Sequence, residues 1–83
     1  MKIHVRYFAS LREALGPGET VELDGAATLG TLRDALLARG GRHAEALART
    51  RAVRCALNQV MADEATAVPD GAEVAFFPPV TGG

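Results

Sequence analysis

Glu73-Val74-Ala75-Phe76-Phe77-Pro78-Pro79-Val80-Thr81-Gly82-Gly83 closes the chain, and its reading decides the fold. The first five residues alternate. Val74 and Phe76 share one face, Ala75 and Phe77 the other, which is the period-two signature of a strand. Two prolines then stop it, because proline fixes φ and offers no N–H to a helix or a sheet ladder. A Gly-Gly end taken alone is most often a frayed tail. An apolar Phe-Phe against a stiff Pro-Pro spacer is not the composition of a disordered segment. Gly82 and Gly83 have no side chains, add nothing to a core and lose the most entropy when ordered. Such an end fits a channel too narrow for any other residue and presents one functional group, the carboxylate of Gly83. The expected organisation is a folded domain over 1–77 and a flexible tail over 78–83.

Working back from the last strand, the same logic assigns the rest. Residues 2–8 alternate, with Ile3, Val5 and Tyr7 facing a core and Lys2, His4 and Arg6 facing out. Phe8 breaks the pattern, since its parity puts it on the polar face. Ala9 to Leu15 reads as a short helix with Ser10 as its cap and Gly16-Pro17-Gly18 as its stop. Glu19 to Asp24 alternates again through Val21 and Leu23, which predicts an antiparallel partner for the first strand. After the turn Asp24-Gly25-Ala26-Ala27, Thr28 caps the main helix over 29–39. There Leu29, Leu32, Ala35, Leu36 and Leu37 form one apolar stripe, and Gly40-Gly41 ends it. A weaker helix over 43–49 offers Ala44, Leu47 and Ala48 as contacts. Ala52 to Asn58 is a further strand, with Val53, Cys55 and Leu57 on one side. Asn58-Gln59 turns into a short strand at Val60-Met61, and Pro69-Asp70-Gly71 turns into the last strand.

One main helix on one mixed sheet is an α+β layer arrangement. Placed between a first hairpin and the later strands, that helix gives the β-grasp order, in which the first and last strands are central, adjacent and parallel. Phe8 and Phe77 then sit at the same end of neighbouring strands. Both point away from the helix, beside the exit of the tail. Unless a loop or the short helix covers them, they form a docking patch.

Eighty-three residues make one domain with a small core, and 48% hydrophobic content suffices for it without disulfides. The single cysteine, Cys55, cannot form an internal bridge, so nothing points to an oxidising compartment. No apolar run reaches membrane-spanning length, and Met1 to Val5 does not read as a signal peptide, so a cytoplasmic location and no membrane partner are expected. A net charge of −1 and the lack of tryptophan argue against nucleic-acid binding.

Side-chain chemistry is equally sparse. His4 and His43 lack a second ligand at metal spacing and read as solvent-exposed. Cys55 falls at an apolar strand position and reads as a buried thiol. The arginines from Arg42 to Arg54 could make a basic face for an acidic partner; interleaved with Glu45, they read more commonly as a solvated surface. By elimination the reactive group is the terminal carboxylate. A carboxylate is a poor electrophile and must first become a mixed anhydride, for example with AMP. No nucleotide site is visible in the chain, so a partner must supply that step. A sulfur nucleophile would then leave a thiocarboxylate.

The stretch from Phe76 to Gly83 resembles the C-terminal signature of the small subunits of molybdopterin synthase, a family of ubiquitin-like sulfur carriers. Ala56-Leu57-Asn58-Gln59, Pro69 to Ala75, and Tyr7-Phe8-Ala9 with Leu11-Arg12-Glu13 resemble the same family. The segment from Arg39 to Arg51 carries no family signature. The resemblance implies a β-grasp fold and a non-catalytic carrier subunit that binds no cofactor itself. It implies that Gly83 is adenylated by an activating enzyme using ATP and Mg, then thiocarboxylated by a sulfur donor system. Pro78, Pro79, Val80, Thr81 and Gly82 then enter a channel of the large subunit within a heterotetramer, with Phe8 and Phe77 docking beside it. There sulfur is added to cyclic pyranopterin monophosphate. A sulfur carrier for thiazole or tRNA thiolation, and a ubiquitin-like modifier of lysines, share the fold, the diglycine and the activation step.

Overall fold

A computed structural model describes residues 1–79. In chain order the elements are β1 (Lys2–Tyr7), α1 (Ala9–Leu15), β2 (Gly18–Glu22), β3 (Ala27–Thr28), α2 (Leu29–Leu37), α3 (Gly41–Ala46), β4 (Arg54–Leu57), β5 (Val60–Ala62), β6 (Ala67–Val68) and β7 (Glu73–Phe77). The main sheet has the order β2-β1-β7-β4-β5. β1 pairs antiparallel with β2 and parallel with β7, and β7 pairs antiparallel with β4. This is the β-grasp order, with the first and last long strands central.

Alternation becomes a core in the expected way. Ile3, Val5 and Tyr7 of β1, Val21 of β2, Cys55 of β4 and Val74 and Phe76 of β7 are buried on one face of the sheet. Leu29, Leu32 and Leu36 of α2, each fully buried, cover them, with Leu11 of α1 and Ala46 and Leu47 at the end of α3. Thr28 caps α2 as expected. Its hydroxyl accepts from the Thr31 amide at 3.1 Å, while its own amide donates to the Thr31 hydroxyl at 2.8 Å, a reciprocal box with threonine in the usual glutamate position. Between α1 and β2, Gly16 ends the helix at φ 89°, and Gly18 lies so close to β1 that a Cβ there would sit 2.4 Å from the Val5 carbonyl oxygen.

Several expectations are corrected. Ser10 is not a cap. α1 begins at Ala9, Phe8 occupies the capping position without a side-chain bond, and its carbonyl accepts from Leu11 and Arg12. Ala9 takes φ 53°, a left-handed conformation that turns β1 into α1 within one residue. The first strand ends at Tyr7, β2 spans Gly18–Glu22, α2 stops at Leu37 and β4 is confined to Arg54–Leu57. The third helix is one turn earlier than its periodicity suggests, so Ala46 is buried with Leu47, while Ala44 and Ala48 are only half-buried. Ala27, read as the end of a turn, and Thr28 pair antiparallel with Val68 and Ala67, for which no strand was expected, as a second, two-stranded sheet at the foot of α2.

His43 is not solvent-exposed. It packs edge-on against Tyr7, with its Nε2 at 2.9 Å from Glu19 Oε2. Glu19 also accepts from the buried Tyr7 hydroxyl at 2.8 Å and from Arg39, so one carboxylate ties β1, β2, α3 and the residues after α2 together. Burial works to raise the Glu19 pKa. The hydrogen bonds from His43, Arg39 and Tyr7 outweigh it and hold the group at about 2. Burial and the bond to Glu19 push the Tyr7 phenol well above its ordinary value.

Because the folded carboxylate titrates below its ordinary value of 4.5, its contribution to stability is complete above that value and disappears as pH falls through about 2. Glu19→Gln is expected to cost about 1–2 kcal/mol at neutral pH and to flatten the acid limb of stability. Urea melts between about pH 2 and pH 7 check this; a variant with the wild-type acid limb would remove Glu19 from that role.

Candidate functional site

Parallel pairing of β1 and β7 sets Tyr7 beside Phe76, with both side chains in the core and their rings stacked at 6.5 Å. The next residue of each strand therefore points the other way. The Phe8 amide donates to the Phe76 carbonyl at 3.2 Å, carrying the ladder one residue beyond β1. Phe8 is 41% exposed and Phe77 half-buried, and with Pro78 they line one open groove on the face of the sheet opposite α2. Among the described residues no helix or loop buries Phe8.

The walls of the groove come from neighbouring rows. Arg6 and Ala75 are register partners, and the Arg6 guanidinium lies 5.7 Å from the centroid of the Phe8 ring, within cation–π range. Its Nη1 is also 3.9 Å from a Glu73 oxygen, an exposed and therefore weak pair. Ala75 faces Ala56 of β4, and Ala56 faces Met61 of β5, which is 59% exposed. The row from Ala75 through Ala56 to Met61 runs beside Phe77, whose own register partner on β4 is the exposed Arg54. Arg6, Ala75 and Met61 were not singled out from sequence. The signal was available in the hairpin across Asn58-Gln59, both at positive φ, which places Met61 opposite Ala56.

The structure thus brings Phe8, Phe77 and Pro78 together, with Pro79 following half-buried. Val80, Thr81, Gly82 and Gly83 lie outside the described residues, and so does the expectation of a flexible tail there. His4 is exposed, with Nδ1 at 3.4 Å from the Thr20 hydroxyl. Cys55 is buried, its Sγ donating to the Ala62 carbonyl at 3.3 Å. Burial, then the nearby Glu64, pushes its thiol up, so it is a packing residue and not a nucleophile. Among the described residues no three His, Cys, Asp or Glu side chains gather as a metal would require. No helix among them is long and apolar enough to cross a membrane.

Arg49 lies exposed on the solvated face expected of its segment, but it is paired. Arg49 pairs with Asp34 at 2.6 Å and with Glu64, and donates to the Gly30 carbonyl at 3.0 Å.

Against known proteins, residues 5–83 match the model of the ThiS family. The chain belongs to the ThiS family. Within it, the chain is 38% identical over 81 residues to the molybdopterin synthase sulfur carrier subunit of Haemophilus influenzae, covering 98% of this chain and 99% of that one. Among solved structures it is similar to small archaeal modifier protein 1 of Haloferax volcanii, with TM-score 0.78 and 30% identity over 95% of this chain and 98% of that one. It is also similar to a chain in the complex of subunits 1 and 2 of the molybdopterin-converting factor from Helicobacter pylori. There the TM-score is 0.70 and the identity 26%, over all of both chains. These likenesses agree with the β-grasp order of the described residues.

Adjacent phenylalanines on opposite faces should separate folding from docking. Phe76→Ala truncates a fully buried ring and is expected to cost about 3–5 kcal/mol of stability. Phe77→Ala should cost the fold under about 1.5 kcal/mol and weaken partner binding by about 2 kcal/mol. Chemical denaturation and calorimetric titration separate the two; equal stability losses with unchanged binding would refute the division.

Proposed function

We propose that this chain is a sulfur carrier for molybdenum cofactor biosynthesis, acting as the small subunit of molybdopterin synthase. The observation that carries the reading is the β1–β7 pairing, which gathers Phe8, Phe77 and Pro78 around the root of a diglycine tail. The family match and the named relatives support it. The groove provides the apolar contact that seats the carrier on its large subunit, a pairing that the Helicobacter pylori complex exemplifies for a similar chain.

The chemistry belongs to the terminus. A cytoplasmic activating enzyme using ATP and Mg converts the Gly83 carboxylate into an acyl adenylate. A sulfur donor then displaces AMP, and the chain carries a thiocarboxylate. Pro78 and Pro79 stiffen the exit, so less backbone entropy, about 1–2 kcal/mol per residue, is lost when residues 78–82 thread the large subunit's channel. Sulfur then passes to cyclic pyranopterin monophosphate within a heterotetramer. The folded domain supplies position and the partners supply catalysis.

The likeness to small archaeal modifier protein 1 favours a second reading, attachment of Gly83 to lysines of other proteins. Mass spectrometry of the chain purified from its own cells distinguishes the two. A carrier shows one terminal oxygen replaced by sulfur, whereas a modifier shows lysine-linked adducts.

Deleting Gly83, or adding one residue after it, should abolish sulfur transfer to the pterin and leave stability within about 0.5 kcal/mol of wild type. Reconstitution with the large subunit and a sulfide source tests this. A truncated chain that still yields molybdopterin would refute the mechanism.

A further inference from the structure

A second groove lies on the other side of the tail root, between α1 and α3. Leu11 and Ala14 of α1, Ala46 of α3, Val53 and Pro78 make its apolar floor and walls. Arg42 and Arg51 stand on its rim with Glu45. Among the described residues neither arginine makes an ion pair, although Arg33, Arg39 and Arg49 all do. The chain carries a net charge of −1, so a rim holding two unpaired cations against one carboxylate is a local polarity opposed to that of the whole molecule. Such polarity orients approach towards an acidic surface.

Pro78 is the wall shared by this groove and the Phe8–Phe77 groove. A protein that receives the chain after Pro78 is therefore within reach of both. We propose that the α1–α3 groove is a second docking face, filled by a segment of the large subunit that pairs an apolar side chain with flanking carboxylates. The apolar residue sits on Leu11, Ala14, Ala46 and Val53, and the carboxylates meet Arg42 and Arg51. The carrier is then gripped on both sides of its tail root, which fixes the direction in which the tail leaves. This inference rests on the functional reading above and adds the chemistry of the surface that receives the carrier.

The test uses the full chain and the molybdopterin synthase large subunit from the same organism. Two variants probe the groove: Arg42→Glu with Arg51→Glu, which reverses the rim, and Ala52→Trp, in which an exposed wall residue fills it. Thermal melts establish that both fold, and association is followed at low and at physiological salt. The charge reversal should slow association about tenfold at low salt and weaken its salt dependence. Ala52→Trp should weaken affinity about tenfold without changing that salt dependence. If both variants bind like wild type while Phe77→Ala binds weakly, the groove proposal is overturned and the functional reading stands. A wild-type chain that does not bind the large subunit overturns both.

Discussion

The parallel contact between β1 and β7 is the constraint on which the rest depends. Its two strands are the ends of the domain in sequence and the middle of the sheet in space, so the fold closes only when the last long strand arrives. Parallel pairing also sets the phase of both strands together. With Tyr7 beside Phe76, the next residue on each strand is forced to the opposite face at the same end. The core and the Phe8–Phe77 groove are thus two outcomes of one register. A slip of one residue in β7 would expose Phe76 and bury Phe77, losing both at once.

A core this small is held at its margins by polar pins. Arg33 is the clearest case, a guanidinium only 4% exposed inside the apolar face of α2. It donates to the carbonyls of Leu47 at 2.8 Å, Ala48 at 2.7 Å and Arg51 at 3.3 Å, and pairs with Glu64 at 2.9 Å. Those carbonyls belong to the irregular turn after α3, which Arg33 ties to α2; the Leu47 carbonyl lies on a buried residue, and the Ala48 carbonyl also accepts from the Arg51 amide at 2.9 Å. Arg49 returns from that turn to Asp34, Glu64 and the Gly30 carbonyl, and its bonds hold the Glu64 carboxyl below the usual range. Glu19 does the equivalent work at the other end of α2. Each pin joins segments distant in sequence, and each compensates for a region that apolar contacts alone do not fix.

What was legible in the sequence follows the same division. Period-two alternation found Val5, Tyr7, Val74 and Phe76, and the parity break at Phe8 located the exposed ring, because side-chain direction in a strand is geometric. The leucine stripe and Thr28 found α2 for a comparable reason. The polar pins were not legible. Arg33 stands four residues after Leu29 and three before Leu36, squarely on the stripe, yet a charged residue there reads as an interruption until its carbonyl partners are known. His43 meets Glu19 across 24 residues, a contact that local pattern does not encode. β3 and β6 are two residues each, too short for any period. Ser10 misled because a serine beside a helix start suggests a cap, whereas here Phe8 leads into the helix through its backbone alone.

Placing recognition on the face opposite α2 has an energetic consequence. Phe8 and Phe77 lie outside the core, so their exposure costs the free fold little, and their burial is available to a partner. In the proposed role, the affinity this face draws from Phe8 and Phe77 is moderate, and any further grip comes from elsewhere on the carrier. A carrier that must leave one protein for another needs that, since a deeper interface would hold it after transfer. In the role proposed above, the stiffness of Pro78-Pro79 would act in the same direction, lowering the entropic cost of threading without adding contacts that slow departure.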